Sequence, residues 1–373
     1  MPIILVTGSK GFIGMNLCVA LQRRADIELL TFNSDNTLDE LVTSAKSADI
    51  IFHLAGINRP NNNAEFLIGN TILTQKLCNM IANSGKRIPI VLSSSIQAEV
   101  NTLYGHSKYA SEKALVEYNK LTGSPVYIYR FPNVFGKWSK PNYNTVVATF
   151  CYNITHGLPV KISNRGKIIR FLYVDDIVKA FLGIIDRDRH DTTQTHYEIA
   201  DTYSINLGEL YDLLVEFAKN RRQGLIPDLE NSFTKHLYST FLSFHDASDL
   251  AYPASLKSDT RGWLLELIKS PKSGQIFVSS TQPGAIRGNH YHDSKVEKFC
   301  VIKGQGIIRL RSVLGGEVIE YHVNGKDIQI IDIPPGYTHS IENTSDVELL
   351  TLFWASEIFE SHSPDTWPEN VLP

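Results

Sequence analysis

Tyr104 and Lys108 stand four residues apart in Leu103-Tyr104-Gly105-His106-Ser107-Lys108, a spacing that puts both on one face of a helix. An ammonium beside a phenol favours the phenolate. The hydroxyl can then give or take a proton while hydride moves to or from a carbonyl carbon. A surface Tyr/Lys pair arises often by chance, but this one follows Ser93-Ser94-Ser95, which closes an apolar run. Ser95, or else Ser94 or Ser93, can donate to the same carbonyl oxygen. Upstream, Thr7-Gly8-Ser9-Lys10-Gly11-Phe12-Ile13-Gly14 follows the first apolar run and opens a helical pattern. Glycines there let the backbone approach a pyrophosphate, and the free N–H groups of a helix start favour its charge. A second set lies far downstream, where His290 and His292 alternate, Glu297 follows, and His339 comes after Pro334-Pro335-Gly336. Three imidazoles and a carboxylate suit zinc; iron, manganese or nickel accept the same donors. His322 falls outside this spacing and reads as an ordinary strand residue.

These groups need rigid elements beneath them. Ile3–Val6, Ile27–Phe32, Ile50–His53, Ile88–Leu92 and Val126–Tyr129 read as strands alternating with helical stretches such as Gly14–Arg24 and Thr71–Ser84. That order predicts a Rossmann-like, doubly wound parallel sheet, with the glycine loop and serine run at strand ends. Past about residue 245 the texture becomes Gly- and Pro-punctuated, with alternating runs at Gln275–Ser279, Glu297–Ile302, Gly306–Arg311, Val318–Val323 and Leu349–Trp354. This predicts a second, all-β domain. We place the domains at residues 1–245 and 252–373, with the junction near Ala251.

Composition bounds the partners. The 373 residues carry 36 basic and 39 acidic side chains with no basic run, which gives nucleic acid little to bind. No apolar stretch approaches the roughly 20 residues of a membrane span, so a cytoplasmic protein with a small-molecule partner is expected. The four cysteines lie far apart and read as reduced thiols. At the end of the second strand Thr31-Phe32-Asn33-Ser34 offers no carboxylate to ribose hydroxyls, and Lys10, Arg23 or Arg24 can meet a 2′-phosphate. NADPH is therefore expected, with Asp35 close enough to keep NADH as the alternative.

Residues 1–240 resemble the extended short-chain dehydrogenase/reductase family. The likeness rests on the glycine loop, His53-Leu54-Ala55-Gly56, the serine run, the Tyr104/Lys108 helix, Arg130-Phe131-Pro132-Asn133-Val134-Phe135-Gly136 and Tyr173-Val174-Asp175-Asp176. It implies Tyr104 as acid/base, Lys108 as its partner and a nicotinamide-ribose ligand, and Ser95 as the carbonyl donor. It also implies cofactor contacts from Gly8, Ser9, Lys10, Gly11, Phe12, Ile13, Gly14, Asn33, Leu54, Ala55, Gly56 and Asn133. The C-terminal part resembles the cupins. Gly284, His290, His292, Glu297 and Gly304 match their first motif; Pro334, Gly336, His339 and Asn343 match the second, with Ile328 where its leading glycine would stand. That likeness implies a β-barrel holding a metal through His290, His292, Glu297 and His339.

Arg287-Gly288-Asn289-His290 also resembles the Arg-Gly-x-His segment of cupin-class sugar-nucleotide epimerases, in which the histidine is a proton-abstracting base. His290 is thus either ligand or base, with Tyr337 and Lys303 as lesser acid/base candidates. Together with Gly136-Lys137-Trp138-Ser139-Lys140-Pro141-Asn142-Tyr143-Asn144, the domain order resembles the bifunctional capsular-polysaccharide-synthesising enzymes over essentially the whole chain. This implies C3 epimerisation of a UDP-2-acetamido-4-keto-6-deoxyhexose by the cupin domain. C4 reduction with NADPH would follow, giving UDP-N-acetyl-6-deoxy-L-talosamine in a zinc-bearing homodimer. Arg59, Asn133, Lys137, Asn144 and Arg170 are the candidate substrate contacts. The alternatives are a simple 4-ketoreductase whose cupin is a dimerisation or sugar-binding module, and a cofactor-binding sensor without turnover.

Overall fold

The computed structural model describes residues 1–143, 145–187, 191, 193–360, 362 and 364–372. The chain divides into two compact units, Met1–Leu214 with His236–His245, and Val215–Lys235 with Asp246–Pro373.

In the first unit, strands β1 (Ile3–Thr7), β2 (Glu28–Phe32), β3 (Ile50–His53), β4 (Ile90–Ser95), β5 (Val126–Phe131), β6 (Asn133–Phe135), β7 (Ile168–Tyr173), β8 (His196–Tyr197) and β9 (Thr202–Asn206) alternate with helices. These are α1 (Phe12–Leu21), α2 (Leu38–Ser47), α3 (Ala64–Phe66), α4 (Leu73–Asn83), α5 (Leu103–Thr122), α6 (Val146–Thr155), α7 (Val174–Ile185) and the start of α8 (Leu207–Arg221); α9 (Ser232–Leu242) follows α8 in the chain. The main sheet runs β2-β1-β3-β4-β5-β8, parallel throughout. A sheet covered on both faces needs apolar residues at every strand position. In β1, Ile4 and Val6 enter one core and Leu5 the other. The strand order reverses between β1 and β3, which opens a crevice beyond their carboxyl ends. A small sheet, β6-β7-β9, lies apart from it in the pairing.

The second unit contains β10 (Leu256–Asp259), β11 (Gly262–Ser270), β12 (Gly274–Thr281), β13 (Ile286–Tyr291), β14 (Glu297–Lys303), β15 (Gln305–Ser312), β16 (Ile319–Asn324), β17 (Ile330–Ile333), β18 (Tyr337–Asn343), β19 (Leu349–Ala355) and β20 (Trp367–Pro368). They form two antiparallel sheets, β10-β11-β12-β19-β14-β17 and β16-β15-β18-β13-β20, as in a cupin-type barrel. Alternation sets the core: along β19, Leu349, Thr351, Phe353 and Ala355 are buried and the residues between them are less so. Phe299, Val301, Ile308, Leu310 and Ile341 pack against Leu349 and Phe353.

The sequence reading ran the first domain to residue 245, whereas Val215–Lys235 packs with the β unit. Backbone bonding accounts for this. Lys269 N donates to Gly224 O at 2.7 Å and Ile226 N to Lys269 O at 2.9 Å, while Lys272 reaches Asp228 at 2.9 Å and Glu230 at 2.7 Å. No helix among the described residues is long and apolar enough to cross a membrane.

Candidate active site and metal centre

The first site lies at the crevice in the parallel sheet. Gly8 leaves β1 with φ +71°, and a Cβ there would stand 2.6 Å from Ala55 N, so only glycine lets the loop close on the end of β3. Asn33 braces the loop: its Oδ1 accepts from Lys10 N at 2.8 Å and its Nδ2 donates to Ser9 Oγ at 2.8 Å. Beneath it, His53 is fully buried between the hydroxyls of Thr7 (2.8 Å) and Thr74 (2.9 Å), and burial pulls its pKa down to about 3. A neutral, twice-bonded histidine of this kind is structural.

A cavity of about 540 Å³ opens above these elements. Gly8, Lys10, Gly11, Phe12, Ile13, Gly14, Leu54 and Gly56 line it, with Ser93–Ser95, Tyr104, Lys108, Asn133 and Arg59 across from them. Ser9, Ala55 and Asn33 hold the loop instead of lining the space. Thr102 caps α5, its side chain accepting from Gly105 N at 3.0 Å, so that Tyr104 and Lys108 lie in the first two turns. Lys108 Nζ sits 5.9 Å from the centre of the Tyr104 ring and donates to Ser93 O at 3.1 Å. Burial pulls this ammonium down to about 8, with the Glu112 carboxylate acting in the opposite sense. Burial pushes the Tyr104 phenol up, and the Ser95 hydroxyl draws it partly back. A phenol kept protonated at neutral pH is suited to donating a proton, as reduction of a ketone requires.

Glu112 separates the three serines. Its buried carboxylate takes the Ser94 hydroxyl at 2.5 Å and the Arg130 guanidinium at 2.7 Å. Ser93 contributes its backbone carbonyl to Lys108, and the Ser95 hydroxyl faces the phenol. Sequence reasoning missed Asn70. It sits in a π-helical turn, Leu67–Ile72, almost fully buried, where Oδ1 accepts from Ile57 N at 2.8 Å and Nδ2 reaches Ile57 O and Ser107 Oγ at 3.1 and 2.9 Å. It ties the loop after β3 to the helix carrying Tyr104. A π-turn often marks a functional site, but nothing in the residue string announces one.

The other expected contacts divide. Lys10 is ion-paired with Asp35, and Arg24 is taken by Asp26 and Asp186 at 2.6 and 2.5 Å, so Arg24 is not the free cation that the sequence suggested for a 2′-phosphate. Lys137 bonds Asp175 at 2.5 Å, while its neighbour Trp138, exposed and at φ +66°, lines the cavity. Arg170 stands outside the cavity lining, its Nε donating to Thr202 Oγ1 at 3.0 Å. Asn144 lies outside the described residues.

The second site is in the β unit. His290 on β13 pairs across the sheet with His339 on β18; His292 follows β13, and Glu297 opens β14. A bulge at Gly288–His290, with Asn289 at φ +58°, re-aims the strand where the histidines leave it. Ligand atoms of all four residues lie within 4.8 Å of one another. The hydrogen bonds then fix the tautomers. His292 Nδ1 meets Asp365 O at 2.5 Å and His339 Nδ1 meets Tyr337 O at 3.2 Å, so each ring donates there and keeps a lone pair on Nε2.

Both Nε2 atoms are buried without a hydrogen-bond partner, each 3.3 Å from Glu297 Oε2. Three electron-pair donors thus converge with no proton to share, an arrangement that a divalent cation satisfies. His290 is less buried than the other three, and burial together with the His339 and His292 rings draws it down to about 4. Among the lesser candidates, Lys303 faces Glu348 at 3.6 Å, Tyr337 packs against the barrel core, and His322 is an exposed strand residue.

Residues 4–200 match the NAD dependent epimerase/dehydratase family, and residues 257–367 match the Polysaccharide biosynthesis C-terminal domain. The chain is 42% identical, over 99% of its length and 98% of the relative's, to a UDP-2-acetamido-2,6-beta-L-arabino-hexul-4-ose reductase of Pseudomonas aeruginosa. It is similar to the crystal structure of the capsular polysaccharide assembling protein CapF from Staphylococcus aureus, with TM-score 0.90 and 41% identity over 99% of this chain and 100% of that one. A structure of CapF with the inhibitor 3-isopropenyl-tropolone matches with TM-score 0.86 and 37% identity over 99% and 100% of the two chains.

Proposed function

The chain belongs to the NAD dependent epimerase/dehydratase family, in the two-domain group that includes CapF, and on that premise we propose that it acts twice on one UDP-4-keto sugar. The β domain, residues 252–373, epimerises C3 of a UDP-2-acetamido-4-keto-6-deoxyhexose. The sheet domain, Met1–Leu214 with His236–His245, then reduces the C4 ketone with NADPH. The product is UDP-N-acetyl-6-deoxy-L-talosamine, for capsule or O-antigen synthesis. The observation that carries this reading is the pairing of a protonated Tyr104, beside Lys108 and Ser95, with a separate His290 centre in the other unit.

In the reduction, a bound dihydronicotinamide would supply hydride to C4, and the Tyr104 hydroxyl would give its proton to the former carbonyl oxygen. Ser95 donates to that oxygen, and Lys108 stabilises the phenolate left behind. NADP⁺ and a secondary alcohol result. Lys10 supplies the cation for a 2′-phosphate, which would compete with Asp35 for it; β2 ends at Phe32 with Asn33 after it and no carboxylate.

In the β domain, His292, Glu297 and His339 would hold a divalent cation, zinc by the donor chemistry, and leave His290 as the base. When bound, such an ion polarises the C4 carbonyl and makes the neighbouring C–H more acidic. His290, the least buried of the four, would take the C3 proton on its ring, and a proton from solvent delivered to the opposite face would complete the inversion.

The purified protein with a 4-keto UDP-sugar should consume NADPH, followed by its absorbance, and Tyr104→Phe should slow this 10²- to 10⁴-fold. Equal rates for the two proteins would remove Tyr104 from the reaction.

A further inference from the structure

We propose that the C-terminal strap 364–372, through Asp365, is a positioning element of the histidine–carboxylate centre, setting the His292 tautomer and with it the centre's hold on a divalent cation. This rests on the reading of that centre as a cation site. The Asp365 backbone carbonyl takes the His292 Nδ1 proton at 2.5 Å, and that carbonyl is itself pinned. Asp365 Oδ1 accepts from Asp293 N at 2.7 Å; Oδ2 accepts from Ser294 N and Lys295 N, both at 2.8 Å, and from Ser294 Oγ at 2.9 Å. One carboxylate therefore closes the turn between His292 and Glu297.

The rest of the strap fastens both histidine-bearing strands. β20 pairs with β13, with Pro368 opposite His290 and Trp367 opposite Tyr291. Glu369 N donates to Asn289 O at 3.0 Å, and Val371 N to Asn289 Oδ1 at 3.2 Å, at the bulge that aims His290. On β18, Thr338, the residue before His339, donates its hydroxyl to Glu369 O at 2.5 Å. Arg311 on β15 holds Val371 O at 2.9 Å and Asn370 O at 2.7 Å, and Val371 is fully buried. Residues 369–371 lie beyond the stretch, 257–367, that matches the domain family.

Groups that hold a metal ligand in place typically change metal affinity 10- to 100-fold when lost, and truncating Asp365 frees the turn that aims its carbonyl at His292. The test compares full-length wild type, Asp365→Ala and Asp365→Asn by competition for zinc with a chromogenic chelator, and by the ¹⁵N shifts of the His292 ring. Asp365→Ala should weaken zinc binding 10- to 100-fold and turn the single Nδ1–H tautomer into a mixture. Asp365→Asn, with one carbonyl oxygen left for the turn, should fall between. Unchanged affinity and unchanged His292 shifts in the variants overturn the proposal. Should Asp365→Ala fail to fold, the Asn variant decides on the same two readings. Wild type that takes up no zinc sinks the cation reading alone, and the tautomer shift then judges the strap.

Discussion

At the residue scale, Lys108 shows activity and stability pulling apart. Its ammonium is buried, with a backbone carbonyl as its hydrogen-bond partner, and its pKa falls from 10.5 to about 8. Below pH 8 the lysine is protonated in both folded and unfolded chains, and the folded state carries the full cost of burying the charge. Between about 8 and 10.5 the folded chain releases its proton while the unfolded chain keeps it, so stability rises with pH across that window, by about 3 kcal/mol in all. Lys108→Met removes the charge and one hydrogen bond. In the cofactor-free protein at pH 7 it should gain about 1–2 kcal/mol, the lost bond offsetting part of the relief. The gain should vanish by pH 10 while reductase activity stays low throughout. Thermal unfolding of both proteins at the two pH values checks this; a variant less stable than wild type at pH 7 contradicts it.

At the scale of elements, the glycine loop is held by contact distances that alanine cannot meet. A Cβ on Gly14, in the first turn of α1, would stand 2.2 Å from Gly8 O and 2.8 Å from Ser9 Cα. Gly14→Ala should push the loop off β1, abolishing nucleotide binding and costing more than the ~1 kcal/mol that alanine ordinarily gains over glycine in a helix. Gly183→Ala in α7, where a Cβ would meet no atom within 4 Å, should instead stabilise by about 0.5–1 kcal/mol. Nucleotide titration and unfolding of the pair test both signs.

Such elements were legible because their chemistry is local. A glycine loop after an apolar run, two residues four apart on a helix, and His290, His292 and Glu297 at barrel spacing each declare themselves within a dozen residues. Partners that arrive from elsewhere in the chain do not. Which of the three serine hydroxyls is already engaged depends on Glu112, which takes Ser94. Arg24 looked free until Asp186, far along the chain, closed on it. Asn70 acts through a helical irregularity, and Val215–Lys235 follows backbone bonds to β11 that no periodicity encodes.

At the scale of the whole molecule, the proposed pairing of an epimerase with a reductase would give a reversible step a direction. Inversion at C3 depends on the C4 carbonyl, which makes the neighbouring hydrogen acidic. Reduction removes that carbonyl, so the configuration present at that moment is retained. The two activities should therefore separate cleanly by substitution. In deuterated water without NADPH, wild type and Tyr104→Phe should both place deuterium at C3 of the keto sugar, since the exchange needs only the β-domain residues. His290→Asn should exchange none, yet with NADPH it should still yield an alcohol, one whose C3 retains its starting configuration. Deuterium incorporation read by mass spectrometry, with product stereochemistry read by NMR, makes the comparison. An inverted C3 in the His290→Asn product would move the base elsewhere and would leave the barrel as a binding module on a simple ketoreductase.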